Sequence, residues 1–286
     1  MNNLFKEPDG IPNEIGSVPI YKTTNTFDKQ KDLNKRIKNY ASMFNMKTKF
    51  IDYGERLLLK NNKFNLFVYK QSDSILLFTQ DFNINYPKKK INLPTKEEAS
   101  QIAISYLKEL KLTNEYAEIT TVKYTKVASL KSGLESPSLI AINIIFSFNI
   151  DHIPVMGPGA KIKVTIIQDG KVNGLVYFWR DISKEDDTIG VISPKEALKR
   201  FKADKSFNQL NPETDSVIIK NIQFGYYSLS PTDYQRYLIP VYALKGLVET
   251  KYANYNFVDY IVAAKISPLK IKTLRVVDNP FPCFII

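Results

Sequence analysis

The chain has 286 residues, of which 44% are hydrophobic and 24% charged, proportions that exclude intrinsic disorder and allow more than one domain. A net charge of +11 leaves an anionic partner open, whether nucleic acid, an anionic membrane or an acidic wall polymer, yet the lysines are scattered as on solvated strand faces, apart from Lys88-Lys89-Lys90. One cysteine excludes an internal disulfide framework and a cysteine-rich metal site, and no apolar run approaches the length of a membrane span.

The start, Met1-Asn2-Asn3-Leu4, lacks the apolar core of a signal peptide. Two expectations follow: a cytoplasmic protein, or an exported one whose leader or anchor has been removed. Residues 1–27 read as an extended lead-in, rich in Pro, Gly and Asn between Lys6 and Lys22, the kind of tether that suits a membrane-proximal protein and equally any ragged terminus.

Residues 28–92 read as a helix followed by a small antiparallel meander. Asp28 is a good N-cap, and Leu33, Ile37, Tyr40, Ala41 and Phe44 recur at helical spacing behind it. Strands are expected over Lys47–Leu59, Phe64–Lys70 and Ile75–Phe82, with turns at Asn61-Asn62 and Ser72-Asp73.

A second unit, residues 93–184, opens on the capping box Thr95-Lys96-Glu97-Glu98. Ala99, Ile102, Ala103, Tyr106, Leu107 and Leu110 then make a one-sided helix. A strand is expected over Ala117–Val127, a loop over Lys131–Pro137, and three apolar strands between Leu139 and Ile182. In Lys161–Ile166 the side chains alternate, with Ile162, Val164 and Ile166 on a buried face and Lys161, Lys163 and Thr165 on a wet one. Asp169-Gly170 supplies the positive φ angles of a hairpin turn, folding Val172–Arg180 back antiparallel.

The third unit, residues 185–267, repeats the opening: Ser193-Pro194-Lys195-Glu196 reads as another capping box, with proline at the first helical position. Strands follow at Ser216–Tyr227, Arg236–Leu244 and Asn256–Ile266, and residues 268–286 form a tail. Helix-then-meander thus occurs three times, which predicts an α+β fold of repeated helix-plus-antiparallel-sheet units rather than a doubly wound one.

The runs FGYYSLSPTDYQRYLIPVYALKG and NFVDYIVAAKI resemble the C-terminal part of YycI-type regulators of a bacterial cell-wall sensor kinase. The matching positions are Ser193, Glu196, Ala197, Gly225, Tyr226, Tyr227, Pro240, Val241 and Ala263. The helix-plus-meander unit is also similar to PepSY-type domains of protease propeptides and cell-envelope proteins, and the resemblance spans residues 94–266. It implies a regulatory protein of the bacterial envelope, secreted or at the cell surface and held near the membrane by an N-terminal anchor.

Candidate chemistry is sparse. His152, the single histidine, stands beside Asp151, but a triad also needs an activated Ser or Cys with an oxyanion hole, so a loop histidine is the simpler reading. Gly157-Pro158-Gly159-Ala160-Lys161 invites comparison with a phosphate loop, yet a strand rather than a helix follows it. Ile153, Pro154, Val155 and Met156 are apolar for a loop and either cover a sheet end or meet a protein partner. Tyr177, Phe178, Trp179 and Arg180 place aromatics on both faces of a strand, which serves core or interface packing better than base stacking. Glu97-Glu98 belongs to a helix's first turn, Glu185-Asp186-Asp187 reads as a solvated linker, and no carboxylate spacing argues for a glycosidase cleft. The ending Cys283-Phe284-Ile285-Ile286 fits a prenylation pattern formally, but a tail strand is the simpler expectation.

These observations predict a non-enzymatic, extracytoplasmic module that binds another protein, with no cofactor and no metal. Its candidate contact residues are Ile153, Pro154, Val155, Met156, Gly157, Pro158, Gly159, Trp179 and Arg180. A hydrolase assembled from distant carboxylates and a polyanion binder are the alternatives; nucleic acid is the least favoured partner.

Overall fold

The computed structural model describes residues 4–24, 30–79, 91–127 and 138–265. The Asp28 cap, Lys88-Lys89-Lys90, the Lys131–Pro137 loop and the Cys283 tail lie outside the described residues. In chain order the elements begin with β1 (Phe5–Lys6), β2 (Ser17–Thr23), α1 (Gln30–Met43), β3 (Phe50–Asp52), β4 (Arg56–Lys60), β5 (Phe64–Tyr69) and β6 (Ile75–Thr79). Next come α2 (Lys96–Glu109), β7 (Ala117–Val127), β8 (Ser138–Ile150), β9 (Ile153–Met156), β10 (Lys161–Ile166) and β11 (Val172–Phe178). The last are β12 (Ile182–Gly190), α3 (Pro194–Lys202), β13 (Ser216–Tyr227), β14 (Ile239–Glu249) and β15 (Asn254–Val262). Helices and mainly antiparallel strands make an α+β protein.

The chain divides into two compact units. Unit 2 comprises the described residues of Thr23–Ile182 together with Ser228–Arg236. Its strands form one antiparallel sheet in the order β8-β10-β11-β6-β5-β4-β3, and β8 also pairs β7 along its length and β9 at its end. Residues 28–92 and 93–184 share this sheet through the β6–β11 pairing, Leu77 opposite Leu175.

Register explains the core. Leu57, Leu59, Leu66, Val68, Ile75, Leu77, Leu175, Val164, Ile162 and Ile144 fall on one face, and each is at most 1% exposed. Helix α2 lies against β7, β8 and β10 and buries Ala99, Ala103 and Leu107. Both halves of its capping box are present: the Thr95 hydroxyl accepts from the Glu98 amide at 3.2 Å, and the Glu98 carboxylate from the Thr95 amide at 2.9 Å. The stripe Leu33, Ile37 and Ala41 of α1 is likewise buried, and Tyr40 donates to the Asp73 carbonyl at 3.1 Å.

Unit 1 comprises the described residues of Met1–Lys22, Ser183–Tyr227 and Tyr237–Ile286. Strands β13, β14 and β15 are antiparallel neighbours, β1 adds to β13 in parallel, and α3 lies against β14 and β15. Phe5, Phe201, Phe207 and Phe257 pack ring to ring, the Phe201–Phe257 pair stacked at 5.4 Å. Gly246 is required beside the irregularity in the β13–β14 pairing, because a Cβ there would stand 2.0 Å from the Ile218 carbonyl oxygen.

Four expectations need correction. Lys47–Leu59 is not one strand: Gly54, at φ 78°, turns the chain between β3 and β4, with its amide held by the Asp52 carboxylate at 2.8 Å. Ile153–Met156 is a strand rather than a loop, because Asp151 and His152 (φ 49° and 66°) close a two-residue turn that pairs Ile150 with Ile153. Glu185-Asp186-Asp187 is not a linker but part of β12, whose partner is β2. At α3 the Ser193 hydroxyl accepts from the Glu196 amide at 3.2 Å, yet the capping box is only half made. The Glu196 carboxylate accepts instead from Arg200 Nε at 3.0 Å.

Candidate functional site: the open face of a sheet

The residues singled out from the sequence converge on a buried pin in unit 2. Arg180 is 1% exposed, and its guanidinium donates to the carbonyl oxygens of Leu229 (2.8 Å), Ser230 (2.7 Å) and Asp233 (2.7 Å) and to the Ser228 hydroxyl (3.2 Å). Burial draws this guanidinium down to about 10, against the opposing pull of Asp233. Gly159 donates its amide to the Ser228 carbonyl at 3.2 Å, and Ser228 donates to Met156 at 2.8 Å. No side chain fits at Gly159, where a Cβ would meet the Leu229 carbonyl at 1.9 Å. The glycine-proline loop therefore lets the 228–233 segment approach closely. Its first glycine, Gly157, takes φ 93°, and Pro158 is exposed.

Trp179 is also interior, stacked on Phe148 at 4.0 Å. Val155 is buried, while Ile153, Pro154 and Met156 are half-buried along β9. The expected contact set thus divides into buried residues that organise unit 2 and a short, partly exposed strand. His152 sits exposed in its turn.

The larger surface feature of unit 2 lies opposite its helix-covered face. One cross-strand row reads Ile51 (β3), Leu58 (β4), Phe67 (β5), Leu76 (β6), Val176 (β11), Lys163 (β10), Ile145 (β8) and Thr121 (β7). Ile51 and Thr121 at its ends are exposed, and the side chains between them are half-buried. Flanking rows add Phe78 and Phe178 to the apolar side. Phe67 stacks with Phe78 at 6.0 Å, meets Tyr53 edge-on at 6.3 Å, and carries the Arg56 guanidinium 4.3 Å above its ring.

The β7–β8–β10 end of the same face is polar and basic. The Asn143 amide donates to the Thr125 hydroxyl at 2.7 Å and accepts from the Thr165 hydroxyl at 2.9 Å, fixing a row across three strands. Lys123 pairs with Asn143 in register, and Lys161 and Lys163 project from β10 on this side. Burial first, then the charges of Lys161 and Lys123, hold the Lys163 ammonium below its ordinary value. No ion pair engages Lys123, Lys126, Lys161 or Lys163 among the described residues, whereas Lys70, Arg200 and Lys202 each have a carboxylate. Glu118, also on β7, accepts from the Asn149 amide.

Hollows also mark the surface of unit 2, among them one of about 830 Å³ lined by Asn45, Met46, Lys47, Lys60 and Lys63. An open cleft of about 1240 Å³ lies between the start of α2, Val122 of β7 and the Asp169-Gly170 turn, with Glu97 and Glu98 on its rim. A smaller one of about 620 Å³ is lined by Asn114, Glu115, Tyr116, Trp179 and Asp181. Away from these hollows, burial raises the Asp73 carboxyl, which faces Arg36 of α1 at 2.7 Å in a part-buried ion pair.

No catalytic residue pattern points to the open face, although a sign of it is in the chain. RLLLK, FNLFVY and ILLFT lack a strict apolar-polar alternation, so these strands carry apolar side chains on both faces. The positions behind the family resemblance serve packing in unit 1: Ala197, Tyr226, Tyr227, Val241 and Ala263 are at most 1% exposed, and Tyr226 pairs Pro240 across β13 and β14. No helix among the described residues is long and apolar enough to cross a membrane.

No protein-family model matches this sequence, and no curated protein does either. Among solved structures, the C-terminal domain of YpeB from Bacillus megaterium aligns with 83% of this chain and 94% of its own at 15% identity, with a TM-score of 0.34. The chain shares its fold with an uncharacterized protein from Eubacterium rectale ATCC 33656, which is 13% identical over 95% of this chain and 92% of that one, with a TM-score of 0.53.

Proposed function

We propose that this protein is a non-enzymatic regulatory or inhibitory module of the bacterial cell envelope, acting outside the cytoplasm, and that it binds a protein partner on the open face of the unit 2 sheet. The observation that carries the reading is the cross-strand apolar row Leu58, Phe67, Leu76 and Val176, half-exposed on a sheet whose opposite face is filled with buried side chains. Exposed contiguous apolar surface is costly in solution and ordinarily marks an interaction site. The resemblance of residues 94–266 to envelope regulators supplies the compartment and the regulatory role.

The test is photocrosslinking from the open face in envelope extract, comparing the intact protein with Phe67→Glu and Val176→Glu. A Lys108→Ala variant on α2 serves as control, and circular dichroism checks that all fold. One defined protein should crosslink to the parent and the control and be lost from both glutamate variants. Equal crosslinking by all four proteins would refute the assignment.

A further inference from the structure

We propose that the open face selects an acidic amphipathic segment of its partner, with carboxylates seated at Lys123, Lys161 and Lys163 and apolar side chains lying along Val176, Leu76 and Phe67. This rests on the assignment of the face as the binding surface and adds the chemistry of what it binds.

Three features favour that occupant. Lys123 on β7 and Lys161 and Lys163 on β10 flank β8 on one face of one sheet, so they form a fixed array rather than scattered surface charge. None has a carboxylate partner among the described residues, and Lys163 is half-buried, so its charge is poorly hydrated and gains from a counter-charge. The apolar row begins at the next strand, Val176 lying directly opposite Lys163. A polyphosphate or nucleic acid backbone would satisfy the lysines but has nothing to lay on Val176, Leu76 and Phe67. A protein segment carrying both carboxylates and apolar side chains satisfies both halves.

The probe is a fluorescein-labelled synthetic peptide alternating Asp with Leu and Phe, compared with the same peptide carrying Asn for every Asp, by fluorescence anisotropy. The intact protein should bind the Asp peptide at least about tenfold more tightly than the Asn peptide. The triple substitution Lys123→Ala, Lys161→Ala, Lys163→Met should abolish that preference. Lys195→Ala, Lys199→Ala, Lys220→Ala removes equal charge from exposed positions of unit 1 and should preserve it. Equal weakening by both triple variants would reduce the effect to net charge and overturn the inference. So would inorganic polyphosphate binding as tightly as the Asp peptide, or binding of neither peptide at about 1 mM. If both peptides bind equally and Val176→Glu still abolishes binding, the acidic preference fails while the face remains the binding surface. If Val176→Glu changes nothing, the face itself is wrongly assigned.

Discussion

At Gly159 the absence of a side chain permits a contact that no other residue allows: a Cβ would stand 1.9 Å from the Leu229 carbonyl oxygen and 2.7 Å from the Arg180 guanidinium. Gly159→Ala should therefore destabilise the protein by about 1–3 kcal/mol, the usual cost of overpacking, read from the urea midpoint. Lys163 makes the opposite case. Its folded value is depressed below the ordinary 10.5, first by burial and then by Lys161 and Lys123, so the folded state holds that proton less tightly than the unfolded chain. The penalty is present at neutral pH and is relieved as pH rises through the depressed value toward 10.5. Lys163→Met should thus raise stability at pH 7 by roughly 0.5 kcal/mol, with the gain shrinking at alkaline pH in paired urea titrations. A residue kept at a cost to stability on an exposed face is the pattern expected of a binding residue.

At the scale of elements, local chemistry decides much of the outcome. The α2 cap is a reciprocal box, whereas Glu196 of α3 turns to Arg200. Glu98→Ala should then cost about 1 kcal/mol and Glu196→Ala about half of that, measured by thermal unfolding of the two variants. The Asp151-His152 turn has positive φ at both residues, so His152→Gly should stabilise by about 0.5–1 kcal/mol in the same assay. Helices α2 and α3, the β10 alternation, the Asp169-Gly170 turn and the bounds of β7 and β13 were all legible, because caps, period and turn residues act within a few positions. The strand at Ile153–Met156 was not, since a non-glycine turn of positive φ leaves little trace in residue type. Nor was β12, whose acidic run is held in a strand by pairing with β2, far away in the chain.

At the scale of the whole molecule, unit 2 is discontinuous, and its completion depends on Ser228–Arg236. A fragment ending at Ile182 leaves the Arg180 guanidinium without the Leu229, Ser230 and Asp233 carbonyls and the Ser228 hydroxyl. Because a buried charge without acceptors is strongly unfavourable, residues 23–182 expressed alone should bind 1-anilinonaphthalene-8-sulfonate and lose near-ultraviolet dichroism, while the full chain does neither. The binding face has the same non-local origin. Its row of side chains comes from positions as distant in the chain as Ile51 and Val176, joined only by strand register.

By itself the sequence determined the helices, most strands and the α+β class, since these follow from short-range periodicity, capping and turn chemistry. Tertiary structure alone decided that Arg180 and Gly159 hold an interior pin, that β6 and β11 join two stretches of chain in one sheet, and that lysines and apolar side chains share one open face. The reason is register: a shift of one residue moves every side chain of a strand to the opposite face, and register is set by partners distant in the chain.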